Sequence, residues 1–450
     1  MLSNINVLKF HHYYFSGVGG ISMSGLAKYL ISIGKKVYGS DIVSNNLTDE
    51  LEFLGVKIDF TQTGEYLNKD CVFVYSSAIS NDNVEFIKAK SLGLTLIKRS
   101  ELLGAICSQF ETFIAVSGSH GKTTTTAMIA QILLSGKYEP TIFLGGEYFN
   151  YGNFYNGKGK IVLAEACEYK KNFLYLKPSI SGVLNIDNDH LDSYAGLHDE
   201  IDTFEKFIKG SISVVNADDA NASRVFSTSK ISFGINSPAN FVAKRITQTQ
   251  NGISFSVYQS GILMGRVNLK IKGKHNVYNA LCAISICSII KTPFKIIKKG
   301  LEAFVGVKRR NELLFSNDKI EIYADYAHHP SEIESLLQMY DKEKTLFIFQ
   351  PHTFSRTQIL MNEFVEVLSQ CKNLIIYKTY PARERYNYKG SALKLYCNLP
   401  NDKIINLGFF NDEEKLKKHL YSSINKYKKI IFIGAGDIYE IAQKTARLIK

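Results

Sequence analysis

Short apolar runs alternate along the chain with stretches in which apolar residues recur at helical spacing. Most of the apolar runs end in glycine or polar residues, as strands do where a strand turns into a helix. The predicted strands are 10–16, 36–40, 71–75, 94–97, 113–116, 161–164, 180–184, 319–324, 346–349 and 430–433, and the predicted helices are 25–33, 84–91, 99–108, 124–135, 281–290 and 331–339. Residues 240–271 alternate polar and apolar side chains and predict an antiparallel ribbon. The pattern as a whole predicts an α/β fold with mostly parallel sheets.

With 450 residues the chain has room for about three domains of ordinary size. We place the first at residues 1–108, because the helix at 99–108 leads out of it. The second is placed at 109–304 and the third at 305–450.

Composition narrows the class of protein. Hydrophobic residues make up 45% and charged residues 21%, and no apolar run approaches the ~20 residues of a membrane helix. The seven cysteines are scattered, and neither a secretory signal nor a membrane anchor is evident, so we expect a cytoplasmic protein. The net charge of +12 is spread widely, with its densest group in a predicted amphipathic helix at 415–429. We therefore expect no nucleic-acid partner; the field of such a chain would instead attract small polyanions.

The run 117–126 has the residues of a phosphate-binding loop, between a predicted strand and a predicted helix. Gly118 and Gly121 let backbone N–H groups converge on anionic oxygens, Lys122 supplies a cation for the β/γ-phosphates, and Thr123 offers a hydroxyl to Mg²⁺. The candidate ATP-binding residues here are Gly118, Ser119, His120, Gly121, Lys122, Thr123 and Thr124. The alternative is a tight strand-to-helix turn with an exposed lysine.

Ionisable residues follow two further strands of the second predicted domain. Glu165 comes directly after 161–164, and His190 lies just past 180–184. Carboxylate and hydroxyl oxygens suit Mg²⁺, so Glu165 and Thr123 predict one metal site, to which His190 could add a second. The alternative for His190 is an ordinary cap or surface histidine.

A second glycine turn follows the first strand. This turn resembles the start of a dinucleotide-binding fingerprint in Gly17, Val18, Gly19 and Gly20. Asp41 follows the next strand at the sequence distance where the fingerprint has its acidic residue. Ser22 stands where the third glycine should be. The geometry would hold any pyrophosphate, so both a hydride-transfer enzyme and a plain glycine turn remain open. Ser77, in the polar turn after 71–75, falls where ligands bind in open sheets.

Two carboxamides open the helix at 281–290. Asn276 and Asn279 are three residues apart and share a helix face. A carboxamide both donates and accepts, which is what reading an adenine edge requires. The alternative is that Asn276 caps the helix.

The third predicted domain carries polar clusters past three strand ends. Asp325 to Pro330 follow 319–324, Gln350 to Thr357 follow 346–349, and Gly434 to Ile438 follow 430–433. At its entrance Arg309 and Arg310 suit a transferring phosphoryl group. Because carboxyl ends of parallel strands share one edge, these clusters predict a binding edge.

Together these stretches resemble the Mur ligase family along nearly the whole chain. The motifs that carry the resemblance are 17–24, 76–79, 118–126, 165–169, 185–190, 275–280, 309–310, 325–330, 350–357 and 434–438. The resemblance implies a Rossmann-like first domain, a central ATPase-like domain with a mostly parallel sheet, and a Rossmann-like third domain.

The resemblance also implies an activity: ATP-dependent joining of L-alanine to the carboxylate of UDP-N-acetylmuramate through an acyl phosphate, with Mg²⁺ as cofactor. It implies binding of the UDP part of the substrate by Gly17, Val18, Gly19, Gly20, Ser22, Asp41 and Ser77. It assigns Thr123, Glu165 and His190 to metal, Asn276 and Asn279 to adenine, and Arg310 and Asp325 to the phosphates and ribose of ATP. It places His328, His352 and Arg356 near the incoming amino acid. The catalytic residues it implies are Lys122, His190, Arg310 and His328.

Three other functions stay open. A ligase that recycles an intact tripeptide onto the same nucleotide sugar shares most motifs. An NAD-dependent oxidoreductase would use the first glycine turn and leave Lys122 idle, and a binding module would hold nucleotide without turnover. The sequence allows either a monomer or a homodimer.

Overall fold

Strand and helix alternate along the structure, a computed structural model that describes residues 7–187, 193–249, 252–400, 402 and 404–449. The α/β fold class predicted from the sequence is confirmed. The chain divides into two compact units, residues 1–305 and 306–450. The first unit contains two sheets and the second contains one. The predicted domain limits at residues 108 and 304 stay predictions.

The first sheet has five parallel strands in the order β3-β2-β1-β4-β5. Its elements are β1 His12–Ser16, α1 Ile21–Ser32, β2 Lys36–Ser40, α2 Asn46–Phe53, β3 Lys57–Asp59, β4 Cys71–Tyr75, α3 Val84–Ser91, β5 Thr95–Lys98 and α4 Arg99–Cys107. Tyr13, Tyr14 and Phe15 of β1 are all fully buried, as expected of a parallel strand covered on both faces. Because Ser16 pairs with Tyr75, the turns after β1 and β4 lie side by side.

The second sheet has ten strands in the order β15-β14-β13-β12-β11-β10-β6-β9-β7-β8. Its elements are β6 Thr112–Ser117, α5 Lys122–Ser135, β7 Thr141–Tyr148, β8 Gly152–Tyr155, β9 Ile161–Glu165, β10 Ile180–Val183, α6 Leu197–Ile208, β11 Ile212–Asn216, β12 Lys230–Gly234, β13 Phe241–Thr249, β14 Gly252–Gln259, β15 Ile262–Leu269, α7 His275–Ile289 and α8 Phe294–Ala303. From β13 to β7 neighbouring strands are parallel. The strands β13, β14 and β15 are antiparallel, which confirms the ribbon predicted at 240–271.

The second unit holds a six-stranded sheet in the order β16-β17-β21-β18-β19-β20, parallel except for β16 against β17. Its elements are β16 Glu312–Ser316, β17 Glu321–Asp325, α9 Pro330–Leu337, β18 Thr345–Phe349, α10 Phe354–Ile359, α11 Met361–Leu368, β19 Asn373–Tyr377, α12 Ala392–Asn398, β20 Asn406–Phe410, α13 Glu413–Ser423, β21 Lys429–Ile433 and α14 Ile438–Leu448. The three strands whose ends carry the polar clusters, β17, β21 and β18, are neighbours, so the clusters do share one edge.

One predicted helix was too long. The stretch 415–429 is not a single helix, because α13 ends at Ser423 and a short 3₁₀ turn, Ile424–Lys426, leads into β21. Ile424, in this turn, and Tyr427, just after it, keep the helical spacing; Ile424 packs against the core of the six-stranded sheet and Tyr427 is part of that core. Over the residues that the structure describes, no helix is both long and apolar enough to cross a membrane.

Candidate functional site

The phosphate-loop motif forms the predicted strand, glycine turn and helix. Gly118 has φ +131° and Gly121 has φ +85°, conformations that L side chains rarely adopt. A Cβ atom at Gly118 would lie 3.0 Å from the Cβ of Leu184, and one at Gly121 would lie 2.5 Å from Oδ1 of Asn279. Both glycines therefore suit the backbone conformation, and a side chain at either would press on Leu184 or Asn279. The loop opens α5, whose first backbone N–H groups and positive dipole end favour an anion.

The loop is fixed by the segment that follows β10. The carboxamide of Asn185 accepts from the backbone N–H of His120 at 2.7 Å and donates to its carbonyl at 3.1 Å. The backbone N–H of Asp187 donates to the Ser119 hydroxyl at 2.8 Å, and the Asp187 carboxylate lies 2.9 Å from Nε2 of His120. Residues 185–187 of this sequence motif therefore support the phosphate loop directly.

Lys122 lies inside the loop and is paired. Its Nζ donates to the carbonyls of Gly118 and Ser119 and lies 2.9 Å from Oε1 of Glu168. The Glu168 side chain is only 2% exposed. Burial lowers the pKa of Lys122, but the charge of Glu168, its hydrogen bond to Lys122 and the charge of Glu165 more than reverse that effect, so the pKa of Lys122 is raised. The ammonium group is therefore charged, as phosphate neutralisation requires.

Thr123 and Glu165 meet beside this pair. The Thr123 hydroxyl donates to Oε2 of Glu165 at 3.0 Å, and the backbone N–H of Gly145 donates to Oε1. A hydroxyl and a carboxylate within hydrogen-bond distance, next to a phosphate loop, form the donor set that Mg²⁺ prefers. The described ranges contain no group of three His, Cys, Asp or Glu side chains arranged to hold a metal. The third predicted ligand, His190, lies outside the described residues.

The two carboxamides of α7 are buried and bonded to each other. Nδ2 of Asn279 donates to Oδ1 of Asn276 at 3.0 Å, and Nδ2 of Asn276 donates to the carbonyl of Lys272 at 2.6 Å. The helix N-cap is Lys274, so the alternative that Asn276 caps the helix is wrong. Because Oδ1 of Asn279 lies over Gly121, this asparagine borders the phosphate loop.

In the first sheet the glycine turn closes on the end of β2. The N–H groups of Gly17 and Val18 both donate to the carbonyl of Ser40 at 2.9 Å. The N–H of Gly19 donates to a carboxylate oxygen of Asp41 at 2.8 Å. Asp41 therefore holds the glycine turn in place as well as lying at its edge.

The two predicted substrate serines each receive a contact from another segment. The hydroxyl of Ser22 accepts from the Arg99 guanidinium at 2.8 Å. The hydroxyl of Ser77 accepts from Nδ2 of Asn172 at 3.2 Å, and its carbonyl accepts from Nζ of Lys170 at 3.3 Å. The polar groups of the first sheet's edge are thus linked to α4 and to the segment after β9.

In the second unit, Arg310 and Arg309 lie on tyrosine rings. The guanidinium of Arg310 lies 4.8 Å from the ring centre of Tyr326, and that of Arg309 lies 4.5 Å from the ring of Tyr439. Arg309 also donates to the carbonyl of Gly436 at 2.7 Å. The guanidinium of Arg309 also lies 5.5 Å from the ring centre of Tyr326, so Arg309 joins two of the three polar clusters. Arg310 lies 3.9 Å from the carboxylate of Glu332.

Asp325 ends β17 and accepts two backbone hydrogen bonds at 2.7 Å, from Asn311 and Ala327. Burial raises the pKa of Asp325 to about 6, against the opposing charge of Arg310. The protonation state of Asp325 therefore depends on the charge of any group that binds beside it.

His328 and His352 face each other, with ring centres 5.7 Å apart. Nδ1 of His328 lies 2.9 Å from the carbonyl of Tyr326, so Nδ1 carries the proton and Nε2 is the basic nitrogen of the neutral ring. His352 stacks on Tyr380 at 5.6 Å. Burial, together with the charges of His328 and Arg356, lowers the pKa of His352 to about 3. The structure therefore brings together His328 and His352, two of the residues predicted for the amino acid, and the charge of the third, Arg356, acts on His352.

Several residues of these sites were not predicted. Glu168 lies in a quoted motif, and its position past a strand end was the signal that could have identified it. Asn185 and Asp187 also lie in a quoted motif past a strand end. The others act across long sequence separations and left no local signal; they are Asn172, Arg99 and Glu332.

Models of three protein-family domains match successive ranges of the chain. Residues 12–111 match the model described as "Mur ligase family, catalytic domain". Residues 116–287 match the "Mur ligase middle domain", and 309–436 match the "Mur ligase, glutamate ligase domain".

Full-length relatives cover nearly the whole chain. The UDP-N-acetylmuramate–L-alanine ligase of Acetivibrio thermocellus is 38% identical over 98% of this chain and 97% of its own length. The enzyme of the same name from Aquifex aeolicus is 39% identical over 96% of each chain. The crystal structure of the UDP-N-acetylmuramate–alanine ligase of Thermotoga maritima superposes with a TM-score of 0.85 at 27% identity, over 97% of this chain and 99% of that one. By sequence and by three-domain fold, the chain belongs to the Mur ligase family.

Proposed function

We propose that this protein joins L-alanine to the carboxylate of UDP-N-acetylmuramate with hydrolysis of ATP, an early step in building peptidoglycan precursors. The observation that carries the proposal is the identity of 36–39% to ligases of that name over at least 95% of the chain. The paired and charged Lys122 at a glycine-braced phosphate loop supports an ATP-dependent reaction.

In the first half-reaction, a carboxylate oxygen of the sugar attacks the γ-phosphorus of ATP. The bond from that phosphorus to the bridging oxygen of ADP breaks, and an acyl phosphate forms. Both reactants are anionic, so cations must lower their repulsion. Lys122 does this from within the loop, while the N–H groups at the start of α5 orient the phosphates.

Mg²⁺ fits the oxygen donors of Thr123 and Glu165, and we assign it to these residues together with His190. When bound, the ion neutralises phosphate charge and polarises the γ-phosphoryl group. Because Thr123 donates to Glu165, the hydroxyl oxygen keeps lone pairs directed away from that carboxylate.

Other ATP contacts are assigned by the same family resemblance. From α7 we propose Asn276 and Asn279 for adenine. From the second unit we propose Arg310 for phosphate and Asp325 for the ribose hydroxyls.

The glycine turn Gly17 to Gly20, with Ser22, Asp41 and Ser77, is proposed to bind the UDP part of the sugar. Turn N–H groups suit a pyrophosphate. Binding of UDP involves no nicotinamide, so the turn does not have to match the full dinucleotide fingerprint, in which a third glycine stands at the position of Ser22.

In the second half-reaction, the amine of L-alanine attacks the acyl carbon, and phosphate leaves with the electrons of the C–O bond. The nitrogen must lose a proton. We propose that Nε2 of His328 takes it, because Nδ1 is already protonated toward the carbonyl of Tyr326. His352, held neutral, and Arg356 are proposed to hold the amino acid, whose carboxylate suits the guanidinium.

The test is phosphate release from ATP, Mg²⁺ and UDP-N-acetylmuramate, with L-alanine or a stem tripeptide as the amine. Release that depends on L-alanine, with a product one alanyl unit heavier by mass, supports the proposal. Dependence on the tripeptide would identify a recycling ligase instead. A cytoplasmic location and a monomeric or dimeric state remain proposals, the second of which light scattering would test.

A further inference from the structure

The segment between β9 and β10 has an unusual backbone. Lys170 (φ 50°, ψ 32°) and Lys171 (φ 56°, ψ 26°) are consecutive residues in the left-handed region. Each such non-glycine residue costs about 1 kcal/mol or more, so the conformation persists only where the surroundings impose it.

The surroundings do impose it, through the residues next to Lys170. Nζ of Lys171 lies 2.9 and 2.8 Å from the two carboxylate oxygens of Asp199 on α6. Phe173 is fully buried, with its ring centre 4.7 Å from that of Phe207. These contacts fix the segment to the second sheet's domain.

Asn172 fixes the same segment to the first sheet. It is 7% exposed. Its Oδ1 accepts from the hydroxyl of Ser100 at 3.0 Å, and its Nδ2 donates to the hydroxyl of Ser77 and to the carbonyl of Tyr169. The segment is thus held from both sides.

Lys170 is different from these neighbours. Its side chain is exposed, and its Nζ contacts the carbonyl of Ser77 at 3.3 Å and the ring of Tyr169 at 5.4 Å. Among the residues that the structure describes, it forms no ion pair. The strained backbone therefore delivers a cation to the turn after β4.

This turn adjoins the glycine turn. Ser77 is two residues past Tyr75, Gly17 is one past Ser16, and Tyr75 and Ser16 are paired in adjacent parallel strands. Such strands lie about 4.8 Å apart, so the ammonium of Lys170 approaches the edge where the glycine turn opens. Arg99 brings a second cation to Ser22 at the same edge.

We propose that Lys170 is a substrate-binding residue whose ammonium pairs with an anionic oxygen of the UDP-sugar. This rests on the proposed function, since the glycine turn and Ser77 must face that substrate. The oxygen belongs either to the pyrophosphate or to the carboxylate of the muramyl group. The strain at Lys170 and Lys171 is the cost of placing this charge.

Calorimetric binding of two ligands to the full-length protein tests the proposal. UDP-N-acetylmuramate carries both anionic groups, and UDP-N-acetylglucosamine carries the pyrophosphate only. We expect Lys170→Gln to weaken UDP-N-acetylmuramate about 10-fold and Lys170→Arg to retain most of the affinity. Equal weakening of both ligands would assign the pyrophosphate, and weakening of the muramate alone would assign the carboxylate.

Two further variants control for backbone effects. Lys170→Gly removes the charge while relieving the strain, and it should weaken binding as Lys170→Gln does. Lys137 is an exposed lysine with φ 58° past the far end of the 14-residue helix α5, roughly 20 Å from the phosphate loop. Lys137→Gln should therefore bind like the wild type. If Lys170→Gln and Lys170→Gly both bind UDP-N-acetylmuramate as tightly as the wild type, the proposal is overturned. Failure of the proposed function would be seen differently, because the wild-type protein would then release no phosphate with L-alanine.

Discussion

Lys122 and Glu168 form an ion pair with Nζ 2.9 Å from Oε1, in which the glutamate side chain is 2% exposed and the lysine side chain 17% exposed. The lysine that we propose for ATP therefore also neutralises a buried carboxylate. Its removal should affect folding and activity separately.

We predict that Lys122→Met abolishes phosphate release and also lowers the melting temperature. Removing one partner of a buried pair costs about 3 kcal/mol, because the other charge stays buried. The double variant Lys122→Met with Glu168→Gln should recover most of the melting temperature and none of the activity. Recovery of turnover in the double variant would show that Lys122 is not needed for phosphoryl transfer.

Gly121→Ala should raise KM for ATP, whereas Gly210→Ala should leave it unchanged. Gly121 and Gly210 both have φ +85°, so an alanine at either costs about 1 kcal/mol. A Cβ at Gly121 would lie 2.5 Å from Oδ1 of Asn279, whereas one at Gly210 would have nothing within 4 Å. Melting temperature and KM for ATP should be compared in the two variants. Equal KM values would argue that the Gly121–Asn279 contact has no part in ATP binding.

Asn279→Ala should raise KM for ATP, by about 10-fold, more than KM for UDP-N-acetylmuramate. The reason is that its carboxamide borders the phosphate loop and bonds to Asn276. Steady-state kinetics with each substrate varied in turn decides this. Equal increases in both values would speak against a contact with the nucleotide.

Glu165→Gln should raise the Mg²⁺ concentration needed for half-maximal activity by at least about 10-fold. Loss of a residue that only supports a metal ligand already lowers metal affinity by roughly that factor. A matched control is Glu111→Gln, an exposed carboxylate just before β6, at the end of that strand opposite the phosphate loop. Its Mg²⁺ requirement should be that of the wild type. An unchanged requirement in Glu165→Gln would remove this residue from the metal site.

His352 should not titrate between pH 5.5 and 8. Burial and the charges of His328 and Arg356 lower its pKa to about 3 from the ordinary 6.5. Between pH 3 and pH 6.5 His352 is protonated in the unfolded chain and neutral in the folded one. The contribution of His352 to the free energy of unfolding is therefore fully present above pH 6.5 and decreases as the pH is lowered below 6.5. The ring carbon-13 signal that disappears in His352→Gln should keep its shift across the range, and a midpoint near 6.5 would contradict the burial argument.

Local pattern was enough to predict much of the fold. The bounds of β2, β4 and α3 match the predicted residues. The elements β2 and α3 each end at a serine, and the apolar run of β4 stops where Ser76 follows it. The phosphate loop was readable for a similar reason: its glycines and lysine are adjacent in sequence.

What could not be predicted depends on residues that are distant in the chain. Asn172 and Ser77 are 95 positions apart, and Asn185 lies 65 from His120. Neither pairing follows from periodicity, since only the packing of one sheet against another segment creates it. The end of α13 was missed for the opposite reason, because apolar residues continue the helical pattern after the helix has stopped.

The most direct test of the proposed chemistry uses UDP-N-acetylmuramate with both carboxylate oxygens replaced by oxygen-18. After turnover with ATP, Mg²⁺ and L-alanine, the released phosphate is analysed by mass. An acyl phosphate transfers one carboxylate oxygen to phosphorus, so the account predicts one oxygen-18 atom per phosphate and one retained in the amide. Unlabelled phosphate would contradict it and show that ATP is cleaved without activating the sugar carboxylate.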